Sequence, residues 1–182
     1  MVSANVAQLL LSPPGSTRDF DFRERLPDPH NDLHLRGPIG GHAHLIRTSD
    51  GILVHTDYAA PVRLECARCL DDAHAVVEGS LDEEFLPTTD VHTGMPLTFE
   101  REDDQPMIDE HHEIDLDEVL RQNILTNLPL RPLCDAACPG LCETCGQRLD
   151  QAHVAHSNET PASPSSPFAR LAVLLTNTEK ED

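Results

Sequence analysis

His42-Ala43-His44-Leu45-Ile46-Arg47-Thr48-Ser49-Asp50-Gly51-Ile52-Leu53-Val54-His55-Thr56-Asp57-Tyr58 reads as two strands on either side of a tight turn. Asp-Gly supplies the backbone freedom that a two-strand reversal demands, so this stretch predicts a β-hairpin. Downstream, Pro61 to Cys66 alternates, with Val62, Leu64 and Cys66 on one side and Arg63 and Glu65 on the other. Ala73 to Leu81 reads as a further strand. Together these segments predict an antiparallel meander of about four strands of ordinary length. Upstream, residues 1 to about 38 read as irregular. They carry short strand candidates at Val6 to Leu11 and Asp19 to Arg25, punctuated by Pro13-Pro14-Gly15 and Pro27-Asp28-Pro29.

After the meander, Leu86 to His112 is acidic and contains proline, and reads as a loop. A helix is expected next. Asp115 stands as its cap, with Glu118 three residues on in a capping-box pattern. Leu116, Val119, Leu120, Ile124 and Leu128 then form an apolar stripe at helical spacing, which reads as core. Pro129 and Pro132 end the helix. The fold class expected is therefore α+β: an antiparallel β meander with a helix leading into a C-terminal zinc-knuckle segment. Residues 1–150 read as a single α+β domain that includes the Cys-rich segment 133–149. Residues 151–167 read as a flexible Ser/Pro-rich linker, and 168–176 as a short C-terminal helix.

The knuckle reading comes from Cys134, Cys138, Cys142 and Cys145, four cysteines within twelve residues. Cys142-Glu-Thr-Cys145-Gly146 has the shape of a zinc knuckle: two thiolates two residues apart grip one ion, and the glycine permits the turn beneath them. A tetrathiolate site for one zinc ion is expected from these four. The alternative is a pair of disulfides, which requires an oxidising compartment. Met1 to Pro14 has no basic region before Leu9-Leu10-Leu11, and no stretch approaches the roughly 18 apolar residues of a membrane span. A cytoplasmic protein away from the membrane is expected. Cys66-Ala-Arg-Cys69 falls where the meander would turn, but Leu70 stands in place of the glycine. It reads as another knuckle, a redox dithiol, or two small buried residues. His153 and His156 are weaker ligand candidates, and His111-His112 reads as solvated. The chain shows no Gly-rich phosphate loop, nucleophile elbow or zinc-protease motif, so no enzyme is expected.

Charge is the other informative feature. Thirty-two acids against thirteen bases give −19 over 182 residues. Between Asp71 and Glu118 stand seventeen acids and one base, Arg101. Such a block serves either as a solvated acidic loop or as a docking surface for a basic partner. Glu100, Glu102, Asp103, Asp104, Asp109 and Glu110 are the candidate partner-binding residues. Contact with nucleic acid is expected to be indirect or weak, because phosphate binding depends on Lys and Arg. Arg121, Arg131 and Arg148 are the bases near the cysteines, too few for a persuasive RNA surface. Five Phe, one Tyr and no Trp leave the core to Leu, Val, Ile and Ala.

Several landmarks together resemble one family. Cys66-Ala67-Arg68-Cys69-Leu70 follows a Val-x-Leu-Glu strand. Glu113-Ile114-Asp115-Leu116 opens a helix that ends in Asn127-Leu128-Pro129-Leu130. Gly140-Leu141-Cys142, Cys145-Gly146-x-x-Leu149 and Pro167-Phe168-Ala169-x-Leu171 complete the series. In this order they resemble the YceD family of bacterial and organellar proteins, over roughly residues 50 to 175. The resemblance implies a role in accumulation of large-subunit ribosomal RNA and in ribosome biogenesis. Joined to the acidic block, it points to a basic large-subunit ribosomal protein or a pre-ribosomal particle as partner, and it carries no catalytic residues. Some relatives keep Cys-x-Arg-Cys without the later four, which makes Cys134, Cys138, Cys142 and Cys145 a self-contained site. The competing assignment joins Cys66 and Cys69 to Cys142 and Cys145 across two hairpins. The chain departs from the family pattern at Asp150, where Asn is usual. Direct action on precursor ribosomal RNA is the alternative function.

Overall fold

The turn at Thr48–Gly51 forms as expected. The Thr48 hydroxyl accepts the Gly51 N–H at 2.8 Å, and the Arg47 guanidinium donates to the Thr48 and Gly51 carbonyls at 2.6 and 2.8 Å. In this computed structural model, which describes residues 1–27, 30, 32–97, 105–149 and 153, the turn joins β3 (Ile39–Arg47) to β4 (Ile52–Glu65). With β2 (Thr17–Glu24) and β5 (Asp72–Pro87) these make the antiparallel meander, and β6 (Met107–Ile108) adds a parallel edge. A second, two-stranded sheet pairs β1 (Ser3–Asn5) with β7 (Glu113–Asp115).

Three elements differ from the sequence expectation. The segments read as separate strands around Pro61 are one strand, because β5 pairs with β4 continuously from Ile52↔Phe85 to Glu65↔Asp72. Val6 to Leu11 is not a strand: Ala7–Leu10 is a single helical turn, α1, with Leu9 and Leu10 buried. Val6, Leu9 and Leu10 are spaced i, i+3, i+4, which suits a helix and not a pleat. The acidic loop holds order of its own in β6 and in a tight turn at Asp90–Met95.

The principal helix α2 spans Asp117–Thr126, with Leu120 and Ile124 fully buried. The N-cap is Leu116, which offers no side-chain cap, and not Asp115; Asp115, one residue earlier, accepts the Asp117 N–H at 2.9 Å. Glu118 does not close the capping box. It turns outward to Arg121, at 2.7 Å, and Gln122. Buried Asp117 accepts the Val2 N–H at 2.6 Å, which ties the N-terminus to the helix start.

Alternation along β4 sends Ile52, Val54, Thr56, Tyr58, Ala60 and Val62 into the core and leaves His55, Asp57 and Arg63 outward. On the inner face the register makes a row Phe22, Gly41, Tyr58, Gly79. The glycines give the two rings room. A Cβ at Gly41 would lie 2.5 Å from the Phe22 ring, and one at Gly79 would lie 2.6 Å from the Tyr58 oxygen. The Tyr58 hydroxyl then donates to Asn123 on α2 at 2.6 Å, fastening helix to sheet.

The chain divides into two compact units, Met1–Cys138 and Pro139–Asp182. The boundary falls inside the Cys-rich segment 133–149. The expected linker 151–167, apart from His153, and the expected helix 168–176 lie outside the described residues. So do Glu100, Glu102, Asp103 and Asp104. Among the described residues, no helix is long and apolar enough to cross a membrane.

Candidate metal centre

The turn between β4 and β5 positions the first two thiols. The Cys66 N–H donates to the Asp71 carbonyl at 2.8 Å, and the Leu70 N–H donates to the Cys66 carbonyl at 3.0 Å, inside the closing pair Glu65↔Asp72. Leu70 takes φ +63°, the left-handed conformation that side chains resist, and its side chain is exposed. The same turn recurs at Cys142. The Cys142 N–H bonds the Gln147 carbonyl, the Gly146 N–H bonds the Cys142 carbonyl, and Leu141↔Arg148 closes it. Gly146, at φ +68°, occupies the place of Leu70. A third copy at Asp90–Met95 has Gly94 at that place and carries Asp90 and Thr93 where the others carry cysteines.

In all three turns the side chain at the first position faces the N–H groups two and three residues on. Asp90 accepts from His92 at 3.0 Å and from Thr93 at 2.7 Å. Cys66 has Arg68 and Cys69 in those roles, and Cys142 has Thr144 and Cys145. The turn is thus built to favour negative charge at its first side chain, and in two copies that side chain is a thiol whose pKa these N–H groups lower. Leu70 hid this in the sequence: the missing glycine argued against a knuckle that the backbone nevertheless forms.

The second pair of thiols arrives on the segment after α2. The Ala67 N–H donates to the Pro132 carbonyl at 2.8 Å, and the Arg68 guanidinium donates to the Cys138 carbonyl at 2.9 Å. Those bonds lay residues 132–138 over the turn and bring Cys134 and Cys138 to Cys66 and Cys69. Sulfur–sulfur distances are 3.8 Å for Cys66–Cys138 and 3.5 Å for Cys69–Cys134. The ligand atoms of all four lie within 4.8 Å of one another. A tetrahedron of Zn–S bonds near 2.3 Å has edges of about 3.8 Å, so the donor set and spacing fit one zinc-sized ion. The six cysteines are free, and these separations are far beyond the ~2.05 Å of a disulfide. Cys66, Cys69 and Cys138 are buried and Cys134 half-buried.

This grouping differs from both sets expected from spacing. Cys134 and Cys138 join Cys66 and Cys69, whereas Cys142 and Cys145 gather with His153, whose Nε2 lies 3.3 Å from the Cys145 sulfur. Each set lies within one compact unit. Electrostatics in the first set suit a cation. Burial pushes the Cys66 thiol up, but the N–H groups of Arg68, Cys134 and Cys69 outweigh it and bring it down to about 6. At Cys69 the Asp71 N–H favours the thiolate, yet burial and the adjoining thiols of Cys134, Cys66 and Cys138 push it up to about 12. Four packed sulfurs cannot all carry charge alone, and a divalent ion removes that conflict.

Of the acidic candidates that the structure describes, Asp109 accepts the N–H groups of His111 and Glu113 at 2.9 and 2.7 Å, a turn-forming role. Glu110 is exposed, 3.8 Å from His111.

The family model described as "Large ribosomal RNA subunit accumulation protein YceD" matches residues 54–175. The chain belongs to the YceD family. Curated relatives include uncharacterized proteins of Mycobacterium bovis and Mycobacterium tuberculosis. Each is 37% identical over 101 residues, which is 56% of this chain and 46% of the relative. An uncharacterized protein of Mycobacterium leprae is 30% identical over 112 residues, or 62% of this chain and 49% of that protein. The chain spans about half the length of these relatives. No solved structure matches. The YceD match includes all six cysteines and the whole of β5 and α2, and starts two residues into β4.

Proposed function

We propose that this YceD protein is a non-enzymatic, zinc-binding factor that assists accumulation of large-subunit ribosomal RNA and ribosome biogenesis. The observation that carries the reading is the closed set of four sulfurs at Cys66, Cys69, Cys134 and Cys138 in a member of this family. Four thiolates fill a tetrahedral zinc ion and leave no position for the water that a catalytic zinc activates. The ion is a staple: it ties the β4–β5 turn to the segment after α2.

The partner is a basic large-subunit ribosomal protein or a basic patch of the pre-ribosomal particle, met by the acidic block in the cytoplasm. Long-range attraction between that block and a basic client raises the encounter rate. Several acids in the block have structural work: Asp109, Asp115 and Asp117 accept backbone N–H groups, and Glu118 pairs with Arg121. Glu100, Glu102, Asp103, Asp104 and Glu110 are the set assigned to the partner.

The experiment is a native pull-down with and without ribonuclease, using the wild type and a variant with those five acids changed to Gln or Asn. Capture of a basic large-subunit protein that resists ribonuclease and is lost in the variant is expected. Unchanged capture by a folded variant would remove the acidic contact from the account.

A further inference from the structure

Arginines far apart in the sequence converge on one cleft. Residues His34–Arg36 run antiparallel beside β4: Leu35 bridges Val62, the Arg63 N–H donates to the His34 carbonyl at 2.8 Å, and the Arg36 N–H donates to the Pro61 carbonyl at 2.9 Å. Strand alternation then places His34 and Arg36 on the same outward face as Arg63. The cross-strand pair Arg63↔His74 adds a second histidine, and Arg25 reaches in from the end of β2. These five side chains line a cleft of 590 Å³ whose floor includes buried Leu26 and Leu33. All five are exposed.

The charge balance of the cleft is opposite to that of the chain. Three of the thirteen Lys and Arg residues meet here, and Asp72 is the one acid among the lining residues. Asp72 lies 3.8 Å from Arg63 with both side chains more than half exposed, so solvent weakens their attraction. Among the described residues, Arg25 and Arg36 have no carboxylate at ion-pair distance. Guanidinium forks match the oxygens of a phosphate, and they stay charged at any physiological pH. No Phe or Tyr lines the cleft, so it offers charge without a platform on which bases stack.

We propose that Arg25, Arg36 and Arg63 form a phosphate cradle that grips the backbone of single-stranded RNA without reading its sequence. The cradle is independent of the acidic contact and shares with it only the ribosomal setting that the family indicates. It gives an acidic protein a local hold on RNA that its overall charge would forbid.

The test is fluorescence anisotropy of a labelled uridine homopolymer with full-length, metal-loaded protein. Inorganic phosphate and a phosphoserine peptide are run in parallel. RNA binding should weaken with salt at a log–log slope of about −2, from roughly 0.7 per phosphate contact on a single strand. Arg25→Ala and Arg36→Ala should each weaken binding several-fold and flatten the slope by about 0.7. Arg23→Ala removes the same charge from an exposed position outside the cleft and should leave binding unchanged. Thermal melts check that each variant is folded. Three results would overturn the cradle: no RNA binding at low salt, an Arg23→Ala loss equal to that of Arg25→Ala, or uptake of the phosphopeptide or free phosphate with RNA ignored. None of these touches the ribonuclease-resistant protein capture that tests the acidic contact.

Discussion

Cys66 shows how much one residue's surroundings decide. Its thiol is buried among three others, and three backbone N–H groups face it. Those N–H groups stabilise a thiolate, and the thiols of Cys69 and Cys134, pushed up by their neighbours, lose their protons more readily beside a cation. Cys66→Ser or Cys138→Ser should therefore release the ion and lower stability by several kcal/mol, a range set by the folding energy that structural zinc supplies. Cys142→Ser should leave the ion of the first set in place. Elemental analysis and the sulfur-to-cobalt absorption of the cobalt-loaded protein would check both. Retention of that ion in Cys66→Ser together with its loss in Cys142→Ser would restore the four-cysteine set read from spacing. The left-handed Leu70 belongs to the same scale. A backbone strain on the order of 1 kcal/mol is accepted there so that the turn can present Cys66 to its N–H donors.

Among the elements, α2 and the inner face of the sheet hold each other through apolar packing and the Tyr58–Asn123 bond. Gly79 keeps the space in which the Tyr58 ring lies. Gly79→Ala should push that ring off its place and cost about 1–3 kcal/mol, read as a drop in the denaturant midpoint. The apolar stripe of α2 was legible in the sequence because its period is local: Leu120 and Ile124 are buried as the spacing predicts. The helical turn at Ala7–Leu10 was not, since four residues hold too little period to separate helix from strand. Continuity of β4 through Pro61 was likewise hidden, because it depends on β5 lying alongside.

For the molecule as a whole, the solvent face of the meander carries both signs of charge in an ordered array. Asp19, His44, His55 and Asp82 form one cross-strand row, and Asp21, His42, Asp57 and Ser80 the next. His42 meets Asp21 at 2.8 Å and His55 meets Asp82 at 2.6 Å, and these bonds raise both histidines above the ordinary 6.5. The hydrogen bond with His44 holds Asp19 below the usual 3.8. A raised histidine stabilises the fold fully below pH 6.5 and loses that contribution as pH climbs through its folded value. A lowered aspartate does so above 3.8 and loses it as pH falls. The array should therefore contribute most between about pH 4 and 6.5 and fade above neutrality. Imidazole NMR titrations should show His42 and His55 returning toward 6.5 in Asp21→Asn and Asp82→Asn respectively. Histidines that titrate normally in the wild type would remove the array from the account. Some way along the outward face of β4, beyond Ala59 and Pro61, comes the arginine cleft. The chain's overall −19 thus conceals a local reversal.

By itself the sequence determined the α+β class, the Asp50-Gly51 hairpin, the amphipathic helix, the cysteine content and the acidic excess. Each of these rests on local spacing or on composition. Only the tertiary structure decided which cysteines gather and which arginines share a cleft. The β4–β5 turn and the segment after α2 are more than sixty residues apart, and no local period records that Cys66 and Cys134 meet. Long-range register brought them together: fourteen cross-strand pairs fix where the turn must lie, and burial of α2 fixes where the chain leaves the core.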